Sequence, residues 1–176
     1  MTELEQQYAN LNNNPDSSSN KFSEKHLVLF KLGGEEFGVD INEVREIIKF
    51  ENVTRIPNTA SYILGAINLR GAIITVIDLA MKLGIAPKSP DKNTRIIVME
   101  IGSNTVGMVV DSATEVLRLK GDQVQPTPTI IGSKFQSNVN ANFIDGIGTL
   151  KDRMIILLDL KRIVDMKDVE QAQHQK

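Results

Sequence analysis

The sequence contains no cysteine and no tryptophan, and it has only two histidines. Without thiols, the chain can form no disulfide, zinc-thiolate centre, iron–sulfur cluster or thiol nucleophile. The two histidines, His26 and His174, lie near opposite ends of the chain, which disfavours a histidine-based triad or metal site. We therefore expect no catalytic residue, no metal ion and no cofactor.

The chain also has little excess of either charge and few aromatic side chains. Its 20 basic and 22 acidic residues give a net charge of −2, and aromatic residues make up 5%. A protein that binds nucleic acid needs a basic face, and a barrel that stacks bases needs aromatic rings on it. No apolar run approaches the ~20 residues of a membrane span, and the start of the chain is acidic rather than a basic secretory signal. These features predict a cytoplasmic protein that does not bind nucleic acid.

The length of 176 residues suits one compact domain with polar ends. Residues 1–26 include a run of Asn and Ser and few apolar side chains, so they predict a disordered N-terminal tail. Residues 167–176 are similarly polar and predict a C-terminal tail. The ordered domain is expected to span residues 27–166.

Short apolar runs with period-two spacing fill this domain and predict β-strands. Gly33-Gly34 separates two such runs as in a hairpin, and Arg70-Gly71 separates two more. Short helices are expected after Asp78 and Asp159, whose carboxylates suit the N-cap position. The segment Val44–Ile48 fits either a strand or one helical turn.

The two halves of the domain repeat the same order of elements. At an offset of 69 residues Gly33 aligns with Gly102 and Glu46 with Glu115, and at an offset of 81 residues Asp78 aligns with Asp159. Each half is expected to hold about five short strands. Small antiparallel sheets hide their edges best by curling into barrels. We predict a mostly β protein of two tandem five-stranded barrels packed together, with short helices and a C-terminal helix.

The motifs that carry enzymatic chemistry are missing. The glycine pairs lack the dinucleotide and phosphate-loop patterns, and hairpin turns or barrel bends explain them. Asp78 and Asp159 could form an acid–base pair, but each is better explained as a helix cap. An enzyme would need a site built from Asp, Glu, Lys and Ser.

Binding residues are the better candidates. Arg70 occupies a tight turn between two apolar strands, either as a solvated side chain or as a fork for a partner's carboxylate. Val44 and Ile47 flank Glu46, and spacing alone leaves open whether they are core or form an apolar patch with an acidic rim.

Several segments follow one another in a characteristic order and spacing: Gly34–Ile41, Val44–Ile47, Arg55–Thr59, Gly65–Gly71, Val76–Leu79, Val106–Asp111, Gly146–Gly148 and Asp152–Leu157. In these segments the sequence resembles the CheW family, the coupling proteins of bacterial chemotaxis. The resemblance covers about residues 26–166. It departs from the family in its longer Asn/Ser-rich leader and in Ala66, where larger aliphatic residues are common.

This resemblance implies two SH3-like barrels and a non-catalytic scaffold. The partners it implies are the regulatory domain of the histidine kinase CheA and the cytoplasmic tips of methyl-accepting chemoreceptors, which would recruit the protein to the inner face of the membrane. Val44 and Ile47 match family positions for kinase contact. Receptor contact is implied for Arg70, with Asn68 and Gly65 supporting its turn, and for Glu46. The alternatives are an adaptor of another receptor–kinase pathway, such as twitching motility, and a nucleic-acid-binding barrel.

Overall fold

The computed structural model describes Leu4, residues 24–125 and residues 141–173. The strands are β1 Lys25–Leu32, β2 Glu35–Asp40, β3 Val44–Lys49, β4 Ile63–Leu69, β5 Ala72–Asp78, β6 Arg95–Ile101, β7 Asn104–Val110, β8 Ser112–Leu119, β9 Val124–Gln125, β10 Ile144–Leu150 and β11 Arg153–Leu158. The helices are α1 Leu79–Leu83, α2 Leu160–Ile163 and α3 Met166–Gln173, and three single 3₁₀ turns span Ile41–Glu43, Gly121–Gln123 and Ala141–Phe143. The ambiguous Val44–Ile48 segment is therefore a strand.

Strands β3 to β7 form a five-stranded sheet in the order β3-β6-β7-β5-β4. Its two outer strands meet because the chain just after β3 continues beside β4: Thr54 and Ala66 exchange backbone hydrogen bonds of 2.9 and 2.8 Å. The sheet is thereby closed into a barrel, which we call the inserted barrel.

The remaining strands form a six-stranded sheet in the order β8-β1-β2-β11-β10-β9. Here too the chain after the outer strand turns back, because β9 follows β8 and pairs with β10 at Ile147 and Gly148. This sheet closes in the same way as the first, and we call it the outer barrel. Within residues 24–125 and 141–173, none of the helices has the length and the apolar composition of a membrane span.

The two barrels do not coincide with the two halves of the chain. Hairpin β1–β2 belongs to the first half of the chain but joins the strands of the second half, because β2 pairs in parallel with β11. Hairpin β6–β7 belongs to the second half but joins the strands of the first half, because β7 pairs in parallel with β5. The expectation that each half forms its own antiparallel barrel is wrong. Alternating apolar residues specify which face of each strand is buried. The observed exchange of hairpins and the expected arrangement of one barrel per half bury the same strand faces, so the pattern does not distinguish them. The mostly β class with paired SH3-like barrels is confirmed.

Three apolar clusters hold this architecture together. Alternation along β1 sends Leu27 and Leu29 into the outer barrel and sends Val28 and Phe30 between the barrels. Strand β6 does the same for the inserted barrel, where Ile96 and Val98 are internal while Ile97 and Met99 face the other barrel. The shared cluster is the largest of the three, so each barrel depends on the other for much of its buried surface.

Two short helices begin where they were predicted, after Asp78 and Asp159, but the C-terminal segment differs from its prediction. The carboxylates of Asp78 and Asp159 each accept a hydrogen bond of 3.1 Å from a backbone amide of the helix they cap. Residues 167–173, expected to be part of a polar tail, belong to helix α3, whose Val169 and Ala172 are buried between the barrels. Val169 and Ala172 are three residues apart and therefore lie on one face of the helix, which suffices to dock it. The polar average composition of the segment does not reveal this apolar face. The predicted N-terminal tail lies, apart from Leu4 and residues 24–26, outside the described residues.

Candidate functional site

Arg70 lies at the tip of hairpin β4–β5 in a turn with positive φ at both central positions. The φ angles are 53° for Arg70 and 87° for Gly71, as in the two-residue turns that match the twist of a hairpin. The side chain of Asn68 accepts a hydrogen bond of 2.9 Å from the amide of Gly71. Asn68 thus supports the turn, and the tip presents its arginine from a fixed backbone.

The guanidinium of Arg70 is paired with Glu46 of strand β3. Its two terminal nitrogens donate to the two carboxylate oxygens over 3.2 and 3.0 Å. The Arg70 side chain is 78% exposed and that of Glu46 is 18% exposed. Glu46 therefore orients a guanidinium that still has unshared N–H groups facing solvent. We call Glu46, Asn68 and Arg70 the tip cluster.

Gly65, expected to support the same turn, lies in strand β4 five residues before Arg70 at a β-bulge opposite Ile77 and Val76. Its φ is +149°, and a Cβ atom there would overlap the backbone carbonyl oxygen of Thr54. Gly65 permits the close backbone contact that closes the inserted barrel. Its expected role in supporting the turn is therefore wrong, since it acts on the barrel instead.

The two apolar candidates of strand β3 separate in the structure. Val44 is buried, with 4% of its surface exposed, and belongs to the cluster between the barrels. Ile47 is half-buried and packs at the margin of that cluster. The open question between core and patch is resolved in favour of core for Val44, while Ile47 keeps exposed apolar surface.

Sequence reasoning overlooked Ile73, which is 47% exposed and lies directly opposite Asn68 in hairpin β4–β5. Its neighbour Ile74 is buried inside the barrel. Because successive residues of a strand face opposite sides, the pair Ile73-Ile74 carried a signal that one of them points away from the barrel core. An exposed aliphatic side chain beside the tip cluster adds apolar contact area to it.

The outer barrel has an ion cluster in the corresponding place. Arg153 donates to the carboxylates of Glu36 and Glu115, and Glu115 is the residue that aligns with Glu46. The Arg153 guanidinium, by its hydrogen bonds, lowers the pKa of Glu36 below its ordinary value. The turn residue Lys151 has a φ of 54°, close to that of Arg70. The backbone at the two tips is alike, while the charged side chains differ.

The arrangement at the tip of the inserted barrel is suited to binding. The two carboxylates that could have formed an acid–base pair, Asp78 and Asp159, are occupied as helix caps. No group of three or more His, Asp or Glu side chains within residues 24–125 and 141–173 is placed to hold a metal ion. What the inserted barrel offers is a rigid tip with an oriented guanidinium, flanked by exposed apolar surface.

A family model described as the CheW-like domain matches residues 26–168. The chain belongs to the CheW family. The chemotaxis protein CheW of Klebsiella aerogenes is 38% identical over 145 residues, which is 82% of this chain and 84% of that protein. A probable chemotaxis protein CheW of Rhizobium etli is 36% identical over 85% of this chain and 93% of that protein.

A solved structure of a CheW protein has a similar fold. The crystal structure of the scaffolding protein TtCheW from Thermoanaerobacter tengcongensis matches with a TM-score of 0.73 and 36% identity, over 82% of this chain and 96% of that one. The CheW family is a family of scaffolds and adaptors rather than of enzymes. The resemblance inferred from sequence is thereby confirmed, and so is the role it implied, that of a coupling scaffold in chemotaxis.

Proposed function

We propose that this chain joins the cytoplasmic tips of methyl-accepting chemoreceptors to the regulatory domain of the histidine kinase CheA, without catalysing a reaction itself. The tip cluster, together with Ile73, contacts the receptor. Ile47 contacts the kinase, whereas Val44 is buried in the cluster between the barrels and leaves almost no surface for the partner. Binding to receptors brings the protein to the inner face of the membrane.

The observation that carries this proposal is the position of strand β3. Glu46 holds Arg70 at the end of the inserted barrel. The next residue, Ile47, lies at the margin of the cluster between the barrels and keeps part of its side chain exposed. Successive side chains of a strand point to opposite faces. Strand β3 therefore presents residues to both proposed partners, so that a displacement of one partner is transmitted through this strand to the other partner.

Chemical complementarity favours an acidic segment at the tip. Arg70 retains N–H donors toward solvent after pairing with Glu46, and a carboxylate accepts a guanidinium in a planar, directional contact. Ile73 supplies apolar area beside it, being 47% exposed. A receptor helix with a carboxylate next to an aliphatic side chain meets both requirements.

The kinase contact needs a different surface. Ile47 offers a half-buried aliphatic side chain at an outer strand of its sheet, and interface cores are enriched in such apolar side chains with charged residues at the rim. Coupling between the partners requires that the contacts differ between the signalling states of the receptor.

The experiment that tests this function is reconstitution with the full chain. Membranes bearing chemoreceptors and a purified CheA kinase are combined with and without the protein, and kinase autophosphorylation is measured with and without attractant. We expect attractant to control the kinase only when the protein is present. Affinity capture from cell extract followed by mass spectrometry should recover a CheA-like kinase and chemoreceptors.

Other outcomes would replace the proposal with a specific alternative. Capture of the kinase and receptors of a twitching-motility pathway would assign the same scaffold role to that pathway. A salt-dependent shift of labelled RNA or DNA would indicate nucleic-acid binding. Turnover of a metabolite by the purified protein would contradict the non-catalytic role.

A further inference from the structure

The junction of the two barrels contains a pair of equivalent aromatic residues, Tyr62 and Phe143, which are related by the offset of 81 residues. Each precedes a hairpin and closes its base. The carbonyl oxygen of Tyr62 accepts a hydrogen bond of 2.7 Å from the amide of Asp78, and that of Phe143 accepts one of 2.9 Å from the amide of Asp159. The hairpin based at Tyr62 is β4–β5, whose tip carries Arg70.

Lys82 of helix α1 lies beside both rings. Its ammonium is 4.4 Å from the centre of the Tyr62 ring and 5.9 Å from that of Phe143. A cation within about 6 Å of an aromatic face is attracted to it. Lys82 therefore links a ring of the inserted barrel to a ring of the outer barrel.

Helix α3 docks on the Tyr62 side of this junction. The hydroxyl of Tyr62 donates a hydrogen bond of 2.8 Å to the Asp168 carboxylate. Burial, and then this hydrogen bond, raise the pKa of Tyr62 above its ordinary value, so the hydroxyl keeps the proton that it donates. Phe143 has no hydroxyl, so it cannot make the equivalent hydrogen bond to helix α3.

Helix α3 buries only a small part of its surface. Of its eight residues Val169 and Ala172 are buried, Met166 is half-buried against the shared cluster, and the remaining side chains are exposed or, for Asp168, half-buried. A helix of this length is not stable by itself in water, so its helical state depends on docking. Strands β6 and β7, in contrast, lie in the interior of their sheet with several fully buried side chains. Segments with few buried contacts open at a lower free energy than the core.

We propose that helix α3 is a clamp that docks and undocks as one unit while both barrels stay folded, and that its docked state braces the base of hairpin β4–β5 through Tyr62. The clamp acts on one hairpin only, because Phe143, at the base of the equivalent hairpin β10–β11, has no hydroxyl to bond to the helix. The C-terminal segment thereby controls how firmly the hairpin bearing Arg70 is held to the body of the protein. This inference concerns the free protein and stands apart from the identity of any partner.

Hydrogen exchange of the full chain, followed by NMR at single amides, tests the clamp. In the unmodified protein we expect the amides of α3 to exchange at least about tenfold faster than those of β6 and β7. In Tyr62→Phe, which keeps the ring and removes the hydroxyl, we expect exchange in α3 to be about tenfold faster still, as for a lost hydrogen bond to a charged group. The Asp78 amide should exchange faster in this variant, while the Asp159 amide should not change.

A matched control removes a carboxylate from the same helix without touching Tyr62. Glu170 is exposed, so Glu170→Gln should leave all of these rates unchanged. Asp168→Asn keeps an oxygen acceptor and should give a smaller effect than Tyr62→Phe. Equal exchange rates in α3 and β6 of the unmodified protein would overturn the clamp, because they would mean that α3 opens only with global unfolding. An effect of Tyr62→Phe on Asp159 as large as on Asp78 would overturn the bracing of one hairpin.

Discussion

Reversing the charge of Arg70 separates its role in binding from its role in the fold. In Arg70→Glu the pair with Glu46 is lost and two carboxylates face each other at the barrel end. An exposed ion pair contributes at most about 1 kcal/mol, and two like charges about 4 Å apart in water repel by about 1 kcal/mol. With the Arg70 side chain 78% exposed, we expect a loss of about 1–2 kcal/mol in the free energy of unfolding. For a chain of this size that lowers the Tm by about 2–8 °C.

The effect on receptor coupling should be far larger. The variant presents a carboxylate where the proposed receptor segment requires a guanidinium, and breaking a charge pair at an interface costs about 2–5 kcal/mol or more. That corresponds to at least about 30-fold weaker binding. In the reconstituted system we expect attractant control of the kinase to be lost at protein concentrations that suffice for the unmodified chain, while circular dichroism still reports a folded protein.

Lys151→Glu is the matched control, because Lys151 occupies the equivalent turn of the outer barrel with φ of 54° against 53° for Arg70. It makes a charge reversal in the same backbone conformation, away from the tip cluster. We expect receptor control to persist in this variant. Normal control by a folded Arg70→Glu protein, or equal loss in both variants, would refute the assignment of Arg70 to the receptor contact.

Three further substitutions test other parts of the structure. Ile47→Asp should weaken capture of the kinase at least tenfold, whereas Val116→Asp, at a residue that is also half-buried against the shared cluster, should cost similar stability and leave capture unchanged. Equal capture by both folded variants would refute the kinase surface. Gly65→Ala should destabilise the protein by more than about 3 kcal/mol in chemical denaturation, because the added Cβ overlaps the carbonyl oxygen of Thr54 and residue 65 has a positive φ. A loss of unfolding free energy below about 1 kcal/mol would contradict that contact. Arg153 lowers the pKa of Glu36 in the folded protein, so this carboxylate stabilises the fold above its unfolded pKa of 4.5 and loses that contribution as the pH falls. Glu36→Gln should therefore reduce the loss of unfolding free energy below pH 4.5, and an unchanged dependence of stability on acid pH would contradict this linkage.

Local features of the fold could be predicted because they depend on neighbouring residues. The turn at Gly33-Gly34 separates β1 from β2, and Asp78 and Asp159 cap the helices expected after them. Alternating apolar residues predict strands on either side of each turn. The β3 segment was ambiguous from sequence because Val44, Ile47 and Ile48 satisfy both periods, and only pairing with β6 makes it a strand.

The candidate site was predictable in part. The sequence pointed to Arg70 through its place in a tight turn, and the family resemblance implied that Asn68 supports this turn. The structure shows the hydrogen bond by which Asn68 does so. The pairing of Arg70 with Glu46 joins residues 24 positions apart and requires the barrel to close. The contribution of Gly65 likewise depends on Thr54, a neighbour that only closure brings against it. Sequence spacing says nothing about contacts of this kind.

By itself the sequence determined the strand and turn pattern, the internal repeat, the absence of thiol chemistry and, through its ordered motifs, the family. Tertiary structure alone decided that hairpins β1–β2 and β6–β7 each complete the barrel of the other half, and that a polar C-terminal segment docks as helix α3. The physical reason is that hydrophobic periodicity fixes which side of a strand is buried but not which strand lies next to it. That choice depends on the summed packing of the whole core, which no local stretch of residues contains.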